Sequence, residues 1–447
     1  MPLCLLGVGG YFLSRLGFSP FLAAARTVWG LLFRRRGQKK AALQHTGAAK
    51  QGKSQDTGAA KRENAPSPLG AMLTALGGTV GVGNITGVAL ALSVGGAGAI
   101  FWMWISAFFA MILKYAEITL AMDSRVCDGR GGYTGGTAQG MRRAGWRRAP
   151  TLFSLFCLLY VLTVGGAVQA NAITTCLDDA FSLPPLVGGL LLLALVLPAV
   201  LGGGRRITAL ACRIVPLMCL GYIGATGAVI LTHAQNLGAA LSLILADAFT
   251  PAAGTGGLLG FFFSRAARVG VARGLMSNEG GCGTAPMAHV TSRERVAARQ
   301  GLLGILEVFA DTCVICPLTA LAVLCAFPTL PSGLSGIALV RAALESVFGG
   351  AAGGLLSLFL FLFAYATILC EALYGEVSAR DLFPHRNTRV PFFALFGGAI
   401  LFGAVGPVGA VWGLCDLVLA TLTLLNLAYL IKKADRVVTL SAELKRI

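Results

Sequence analysis

The stretch GGTVGVGNITG, residues 77–87, lies inside a long apolar run and decides how this chain folds. Glycine costs a helix interior about 1 kcal/mol relative to alanine, so a stretch this rich in glycine predicts a break in the helix. A break at membrane depth frees backbone N–H and C=O groups, which are tolerated only where they are buried in protein or line a polar cavity. The stretch therefore predicts an interrupted helix whose freed groups face a polar site.

The rest of the chain has the composition of a membrane protein. Of its 447 residues, 56% are hydrophobic and 12% are charged, and apolar stretches of about 18 residues or more recur along it. We therefore predict an all-α polytopic membrane protein that lies in the lipid bilayer. The net charge of +17 does not indicate a nucleic-acid partner, because basic loops on one side of a membrane give the same excess. The twelve cysteines have neither zinc-site spacing nor the pattern of a disulfide framework.

Hydropathy predicts about eleven transmembrane segments. The first is a short extra helix at 3–16, which reaches only about 21 Å and which we expect to be a truncated or poorly anchored span; an amphipathic piece follows to about residue 33. The other ten spans are predicted at 69–93, 99–122, 151–176, 185–202, 207–232, 256–275, 300–327, 352–376, 389–405 and 407–431. The stretches 236–248 and 334–348 are apolar on one face and are expected at the membrane interface.

Clusters of basic residues occur in alternate loops of this arrangement. They occur between 34 and 62, at 142–148 and 205–206, and in SRERVAAR (292–299), ARDLFPHRNTR (379–389) and KKADR (432–436). The intervening loops, such as THAQN (232–236) and PTLPSG (328–333), have almost no Lys or Arg. The positive-inside rule then predicts a multi-pass protein of the plasma (inner) membrane, with its N-terminus outside and its C-terminus in the cytoplasm.

The ten spans after the first helix divide into two groups of five, and an odd number of spans per group makes the groups inverted. Inverted repeats that each open with an interrupted helix are typical of secondary transporters. The second group opens with TPAAGTGGLLG, 250–260, again rich in glycine. We predict four parts: a first helix with an amphipathic piece and a basic cytoplasmic linker (1–68), a five-helix repeat (69–232), an inverted five-helix repeat with interfacial helices (233–431) and a cytoplasmic tail (432–447).

The break suggests what this site binds. Freed carbonyls coordinate a cation, and half-helix N-terminal amides face an anionic group. Glycine lets a ligand approach the backbone closely, so Gly81 and Gly83, with Gly256 and Gly257 in the second half, are candidate substrate contacts. The alternative is that these glycines only allow close packing between helices.

Several blocks of the chain match a known family. They are TALGGTVGVGNITGVALALSVGGAGAIFWMWISAFFAMILKYAEITLAM (74–122), AVQANAI (167–173), GVARGLMSNEGGCGTAPMAH (270–289), VFADTCVICPLTAL (308–321) and LYGE (373–376). In these blocks the chain resembles the alanine or glycine:cation symporters, within the amino-acid/polyamine/organocation transporter group, whose fold is a five-plus-five inverted repeat like that of the leucine transporter. The resemblance implies a monomer that imports a small neutral amino acid, such as alanine or glycine, with sodium by alternating access.

The resemblance also implies a sodium site. In that fold the carbonyls of Gly77 and Val80 face one sodium ion together with a hydroxyl, here that of Thr367. The family has adjacent Ser-Thr at this position, whereas this chain has Ala366 before Thr367, so one ligand is expected to be missing. The carbonyl of Thr79 and the side chain of Asn84 correspond to a second cation site or to the substrate site.

Other positions bear on the substrate. Gln169 and Asn171 match a polar pair of the family and are expected to contact substrate, with hydrogen bonding between helices as the alternative. Glu371 stands where the family has an aromatic residue in the pocket. A carboxylate inside a span is costly and points to function, so Glu371 is expected to bind an amine group of the substrate or a coupling proton, unless it lies hydrated at the inner end of the span.

These observations leave alternatives to a sodium symporter. They are a proton-coupled or altered-specificity amino-acid or amine transporter that uses Glu371, a non-transporting sensor, and a channel. An enzyme is not expected: GVGNITG lacks the Gly-Lys-Ser/Thr ending of a phosphate loop, and nothing indicates catalytic residues, an organic cofactor or a metal other than sodium.

Four further polar groups carry expectations of their own. Lys114 and Glu117 are i,i+3 neighbours and are expected to pair with each other. Asp311 lies in mid-span beside a hydroxyl, which favours either function or a fixed hydrogen bond. SNEGG, 277–281, is assigned to an inner gate in a basic loop, and His289 is expected to be solvated.

Overall fold

A computed structural model describes residues 2–33, 65–128, 132–249, 264–331, 333–407 and 409–446. Within these ranges the chain is almost entirely helical, with one two-stranded hairpin. The helices are α1 (Pro2–Leu16), α2 (Ser19–Phe33), α3 (Pro68–Thr79), α4 (Thr86–Gly95), α5 (Gly98–Ser124), α6 (Thr137–Arg143), α7 (Ala149–Phe181), α8 (Pro185–Leu201), α9 (Gly204–Thr232), α10 (Leu237–Ala248), α11 (Arg265–Asn278), α12 (Pro286–His289), α13 (Ala297–Ala326), α14 (Ile337–Phe348), α15 (Ala352–Leu382), α16 (Arg389–Val405), α17 (Gly409–Lys432) and α18 (Ala434–Ala442). The strands β1 (Val126–Cys127) and β2 (Tyr133–Thr134) pair antiparallel.

Most of the described helices coincide with apolar stretches that hydropathy predicts, while the start of the predicted span 256–275 lies outside the described residues. Among the described residues, six helices are long and apolar enough to cross a membrane, and the bent pair α3 and α4 makes a seventh if it is counted as one span. Helices α1, α8 and α16 are apolar but shorter. The two stretches expected at the membrane interface form the short helices α10 and α14. The multi-pass helical architecture that the sequence predicts is therefore present.

Helix α5 lies at the centre of the bundle, and small residues of its neighbours let it pack closely. A Cβ atom at Gly270 of α11 would overlap the carbonyl oxygen of Ala99, and one at Gly274 would overlap the Ser106 hydroxyl. On α13, a Cβ atom at Gly301 would overlap the hydroxyl of Thr119. Small residues allow such backbone approach between helices in a membrane, where packing replaces the hydrophobic effect as the force that holds helices together.

Two helices contain π-helical turns, at Val161–Val168 in α7 and Phe309–Ile315 in α13. Such turns widen the helix locally and occur frequently at functional sites. The hydropathy pattern gave no sign of them. In both helices the π-helical turns lie beside residues that contact the break in α3 and α4, as described below.

The basic loops meet at one end of the bundle, which we call the basic end. The contacts that join them are ion pairs and hydrogen bonds from arginine: Arg142 with Asp381, Arg436 with Asp123, Arg15 with Asp435, Arg125 with the carbonyl of Ser292, and Arg389 with the carbonyl of Leu201. At the opposite end, Asn236 donates to the carbonyl of Cys325, and the Asp247 carboxylate accepts from the backbone of Gly98. The alternation of basic and non-basic loops thus corresponds to two ends of one bundle.

We predict that Gly270→Ala lowers the stability of the bundle by about 1–3 kcal/mol, because the added methyl group cannot be accommodated against the backbone of α5. Gly224→Ala on α9 is the matched control, since nothing lies within 4 Å of the Cβ position there. The measurement is the midpoint of thermal unfolding of the purified protein in detergent. Equal midpoints for the two variants would contradict the close α5–α11 contact.

Candidate substrate and ion site

The helix predicted to be interrupted is broken at the position of the glycine-rich stretch. Helix α3 ends at Thr79, a 3-10 turn covers Val82–Asn84, and α4 begins at Thr86. The axes on either side of the break differ by 62°. Nearly all of the residues in the break are buried, so its backbone groups must find partners inside the protein.

Thr367 of α15 supplies one of these partners. Its hydroxyl lies 3.1 Å from the carbonyl oxygen of Gly77, to which it donates, and at the same distance from the carbonyl of Phe363. A Cβ atom at Gly81 would lie only 2.6 Å from the Thr367 hydroxyl. Glycine at position 81 therefore keeps space beside the hydroxyl, and the Gly77 carbonyl and Thr367 lie together as the resemblance implies.

Gln169 of α7 contacts the break from another side. Its Oε1 accepts from the backbone N–H of Val82 at 3.4 Å, and its Nε2 donates to the carbonyl of Val164 at 3.2 Å within the π-helical segment. The π-helical turns thus free a carbonyl that orients the amide of Gln169. Asn171 does not reach the break. Its side chain donates to the carbonyl of Gly403 in α16, and this is the hydrogen bond between helices that the sequence allowed as the alternative to substrate contact.

Asn84 is the centre of a buried polar network. Its Oδ1 accepts from the N–H of Gly81 at 3.0 Å, and its Nδ2 donates to Asp311 at 2.6 Å and to Ser277 at 3.2 Å. The carbonyl of Asn84 accepts from the Thr319 hydroxyl at 2.9 Å. The side chain therefore holds the turn in shape and links the break to both α11 and α13.

Asp311 is fully buried, and its carboxylate accepts hydrogen bonds from three side chains. These are the amide of Asn84, the hydroxyl of Ser277 at 2.8 Å and the hydroxyl of Thr312 at 2.5 Å. Charge-assisted hydrogen bonds of this kind stabilise a buried carboxylate. Sequence reasoning singled out Asp311 but assigned Ser277 to an inner gate instead of to this network, and it missed Thr319, whose hydroxyl carries no periodic signal.

Glu371 lies one helical turn beyond Thr367 on α15 and is fully buried. A Cβ atom at Gly165 of α7 would lie 2.5 Å from the Cβ atom of Glu371, so the stem of the side chain packs directly on that helix. Its burial rules out the hydrated position that the sequence left open.

The segment after α11 was expected in a basic loop, and the structure buries it instead. His289 is fully buried and contacts Glu307 at 2.9 Å and Gln300 at 2.8 Å, so the expectation of a solvated histidine is wrong.

Lys114 pairs with Glu307 of α13 at 3.1 Å rather than with Glu117, so the expected pairing of Lys114 and Glu117 is wrong. Glu117 accepts instead from the N–H of Gly283. The buried segment brings donors to Glu117 that helical spacing alone does not reveal.

The remaining site residues have simpler surroundings. The N–H of Val80 closes the last turn of α3 by donating to Leu76, and the Thr79 carbonyl accepts from Gly81 at 3.0 Å. A Cβ atom added at Gly83 would have no neighbouring atom within 4 Å, so the space beside this glycine is open. Gly256 and Gly257 lie outside the residues that the structure describes.

The family model described as the sodium:alanine symporter family matches residues 3–444, nearly the whole chain. The chain therefore belongs to the sodium:alanine symporter family. It is a multi-pass membrane transporter rather than an enzyme, and amino acids are the substrate class of its family.

Two curated relatives are similar over most of their length. The probable sodium/glutamine symporter GlnT of Bacillus subtilis is 37% identical over 376 residues, which cover 83% of this chain and 77% of that protein. The sodium/alanine symporter AgcS of Methanococcus maripaludis is 35% identical over 382 residues, which cover 83% and 82%.

Among solved structures, a manganese transporter of Eremococcus coleocola is similar in fold. The TM-score is 0.52, with 15% sequence identity, over 81% of this chain and 76% of that one. At this identity the likeness concerns the fold alone.

We predict that Gly81→Ala abolishes most substrate uptake, because the added methyl group would occupy the space beside the Thr367 hydroxyl. Gly87→Ala is the matched control from the first turn of α4, directly after the break, where nothing lies within 4 Å of the position that an added Cβ atom would take. The measurement is uptake of radiolabelled L-alanine and L-glutamine by proteoliposomes, normalised to the amount of folded protein. If both variants lost uptake equally, the effect would come from backbone flexibility rather than from the space next to Thr367.

Proposed function

We propose that this protein is a sodium-coupled symporter that imports a small neutral amino acid by alternating access. The observation that supports this most directly is the buried break in α3 and α4, where the carbonyl of Gly77 and the hydroxyl of Thr367 lie 3.1 Å apart. Backbone carbonyls and hydroxyls are the oxygen ligands that unwound transporter helices offer to a coupling ion.

The proposed sodium site contains the carbonyls of Gly77 and Val80 and the Thr367 hydroxyl. Thr367 would turn its hydrogen away from Gly77 when sodium binds, so that both oxygens face the ion. Ala366 provides no hydroxyl, so this site has one side-chain ligand fewer than the Ser-Thr pattern. The carbonyl of Thr79 and the side chain of Asn84 are proposed for a second cation or for the substrate.

The proposed substrate site lies along the same break. Gly81 and Gly83 leave room for a small zwitterion, Gln169 presents an amide at the edge of the break, and Asn84 anchors the turn. Gly256 and Gly257 are proposed to line the site from the second half of the chain. The names of the relatives point to alanine and glutamine, both neutral amino acids.

The proposed topology has eleven spans: α1 followed by two inverted five-helix repeats, 69–232 and 233–431. The meeting of the arginine-bearing loops at the basic end supports it, because the positive-inside rule places such an end in the cytoplasm. The C-terminus then lies in the cytoplasm and the N-terminus outside, in the plasma (inner) membrane. We propose a monomer as the transporting unit.

We predict that Thr367→Ala raises the sodium concentration for half-maximal uptake by about tenfold, since one ligand to a charged group is lost. The control is Thr226→Ala, which removes an equally buried hydroxyl bonded within its own helix α9. Uptake of L-alanine is measured in proteoliposomes over a sodium titration, with potassium as the replacement ion.

Two outcomes would count against these proposals. An unchanged half-saturating sodium concentration in Thr367→Ala would remove Thr367 from the sodium site. Uptake that does not depend on a sodium gradient for either L-alanine or L-glutamine would contradict sodium symport itself.

A further inference from the structure

Glu371 places a carboxylate without a hydrogen-bond donor among the described residues in the interior of the bundle. Its side chain is fully buried, and neither carboxylate oxygen has a hydrogen-bond donor among the residues that the structure describes. The hydroxyl of Tyr374, one turn further along α15, also lies buried without a partner there. Buried polar atoms without partners are rare in proteins and point to a bound species that completes them.

Glu279 and Glu371 contact the same stretch of α7, because Tyr160 donates to Glu279 and the stem of Glu371 packs on Gly165, five residues further along that helix. The two carboxylates are therefore close enough to repel each other when both are ionised. Glu279 is itself well satisfied: it accepts from the hydroxyl of Tyr160 at 2.6 Å and from that of Thr284 at 2.5 Å. Two ionised carboxylates offer only acceptors to each other, so a hydrogen bond between Glu279 and Glu371 requires a proton.

The nearby positive charge is already engaged elsewhere. Lys114 is the described cation that acts on both carboxylates, and it pairs directly with Glu307 and donates to the carbonyl of Asn278 at 2.9 Å. Glu117 adds a further buried carboxylate to the same region. One lysine therefore faces several carboxylates, and full ionisation of all of them would leave uncompensated charge in the interior.

Among the described residues, the other ionisable groups near Glu371 are thiols and phenols. They come from α7 and from α15 itself: Cys157, Tyr160, Cys370 and Tyr374. None of these four supplies a positive charge. The charge on Glu371 must then be removed by a proton or by a bound cation.

The position of the pair connects it to the transport path. Thr367, Glu371, Tyr374 and Ser378 follow one another at helical spacing along one face of α15. Thr367 touches the break, and Ser378 lines a cavity of about 320 Å³ at the basic end. Glu371 lies between the two, about 6 Å along the helix axis from Thr367.

We propose that Glu371 and Glu279 together bind one proton between the substrate site and the cavity at the basic end. The proton forms the hydrogen bond that the two carboxylates lack, and it lowers the buried charge by one. Two carboxylates that face each other in this way share a proton because both cannot ionise side by side.

A sodium ion fits this position less well than a proton does. Sodium requires several oxygen ligands, but here the oxygens of Glu279 already accept from two hydroxyls, and the stem of Glu371 packs against Gly165. A proton needs only the two facing carboxylates.

This inference rests on the proposed function and adds to it. When the transporter opens toward the basic end, water from the cavity reaches the pair and the proton leaves. Transport then depends on pH on the cytoplasmic side: acid there retains the proton and slows the return of the empty carrier.

The direct test requires no transport. Infrared spectroscopy of the purified full-length protein in lipid detects the C=O stretching band of a protonated carboxylic acid. We expect such a band at neutral pH in the wild type and its loss in Glu371→Gln. Glu376→Gln is the matched control on the same helix, because that carboxylate pairs with Arg380 near the surface and contributes no such band.

The variant Glu279→Gln tests whether the proton is shared by the two carboxylates or is held by Glu371 alone. We expect the band to persist at a shifted frequency, because the proton then bonds to an amide instead of a carboxylate. Tyr160→Phe serves the same purpose if Glu279→Gln does not fold, since it removes a donor to Glu279. An unchanged band in Glu371→Gln, or an unshifted band in the Glu279 and Tyr160 variants, would overturn the proposal.

A transport assay distinguishes a failure of the proton site from a failure of the proposed sodium symport. In proteoliposomes oriented with the basic end inward, acidifying the interior should slow sodium-driven L-alanine uptake in the wild type but not in Glu371→Gln. Sodium-driven uptake with identical pH profiles in both proteins would overturn the proton site alone. Failure of sodium-driven uptake together with the expected infrared band would refute sodium symport and support the proton site.

Discussion

The structure depends on one constraint: peptide groups freed by a break inside the membrane must be satisfied by the protein itself. In the break between α3 and α4 this is done by side chains from three other helices. Gln169 of α7 accepts from Val82, Thr319 of α13 donates to Asn84, and Thr367 of α15 donates to Gly77. The helices that surround the break are thereby fixed to it, and a movement of any of them changes the shape of the site.

Buried charged side chains, like the freed peptide groups, must be compensated by partners within the protein. The interior holds Lys114, Glu307, Glu117, Asp311 and Glu371, all fully buried or nearly so. Most of these groups are compensated by an ion pair or by several donors, as Asp311 is by Asn84, Ser277 and Thr312. Glu371 differs because it has no donor among the described residues. A transporter that must change conformation has a use for such a group, since a proton can complete it in one state and leave in another.

Several elements of the fold could be predicted because their signals are local. Helix α16 begins and ends where hydropathy placed it, at 389 and 405, and the break falls within the glycine-rich stretch. The structure brings Thr367 and Gly77, two residues that the family resemblance assigned to one site, into direct contact. For Asn171 the sequence left substrate contact and a bond between helices open, and the side chain donates to the carbonyl of Gly403. Both faces of a buried helix carry polar residues, and sequence does not say which face meets the site.

The sequence by itself determined that the chain crosses a membrane many times, where its helices lie, which loops share a side and where one helix breaks. These properties follow from hydrophobic length, charge and glycine content, which act over a few neighbouring residues. Only the tertiary structure decided that segment 277–289 is buried, that Lys114 pairs with Glu307 and that the stem of Glu371 packs on Gly165. Those contacts join residues far apart in the chain. They depend on how the helices pack against one another, which a pattern of neighbouring residues does not predict.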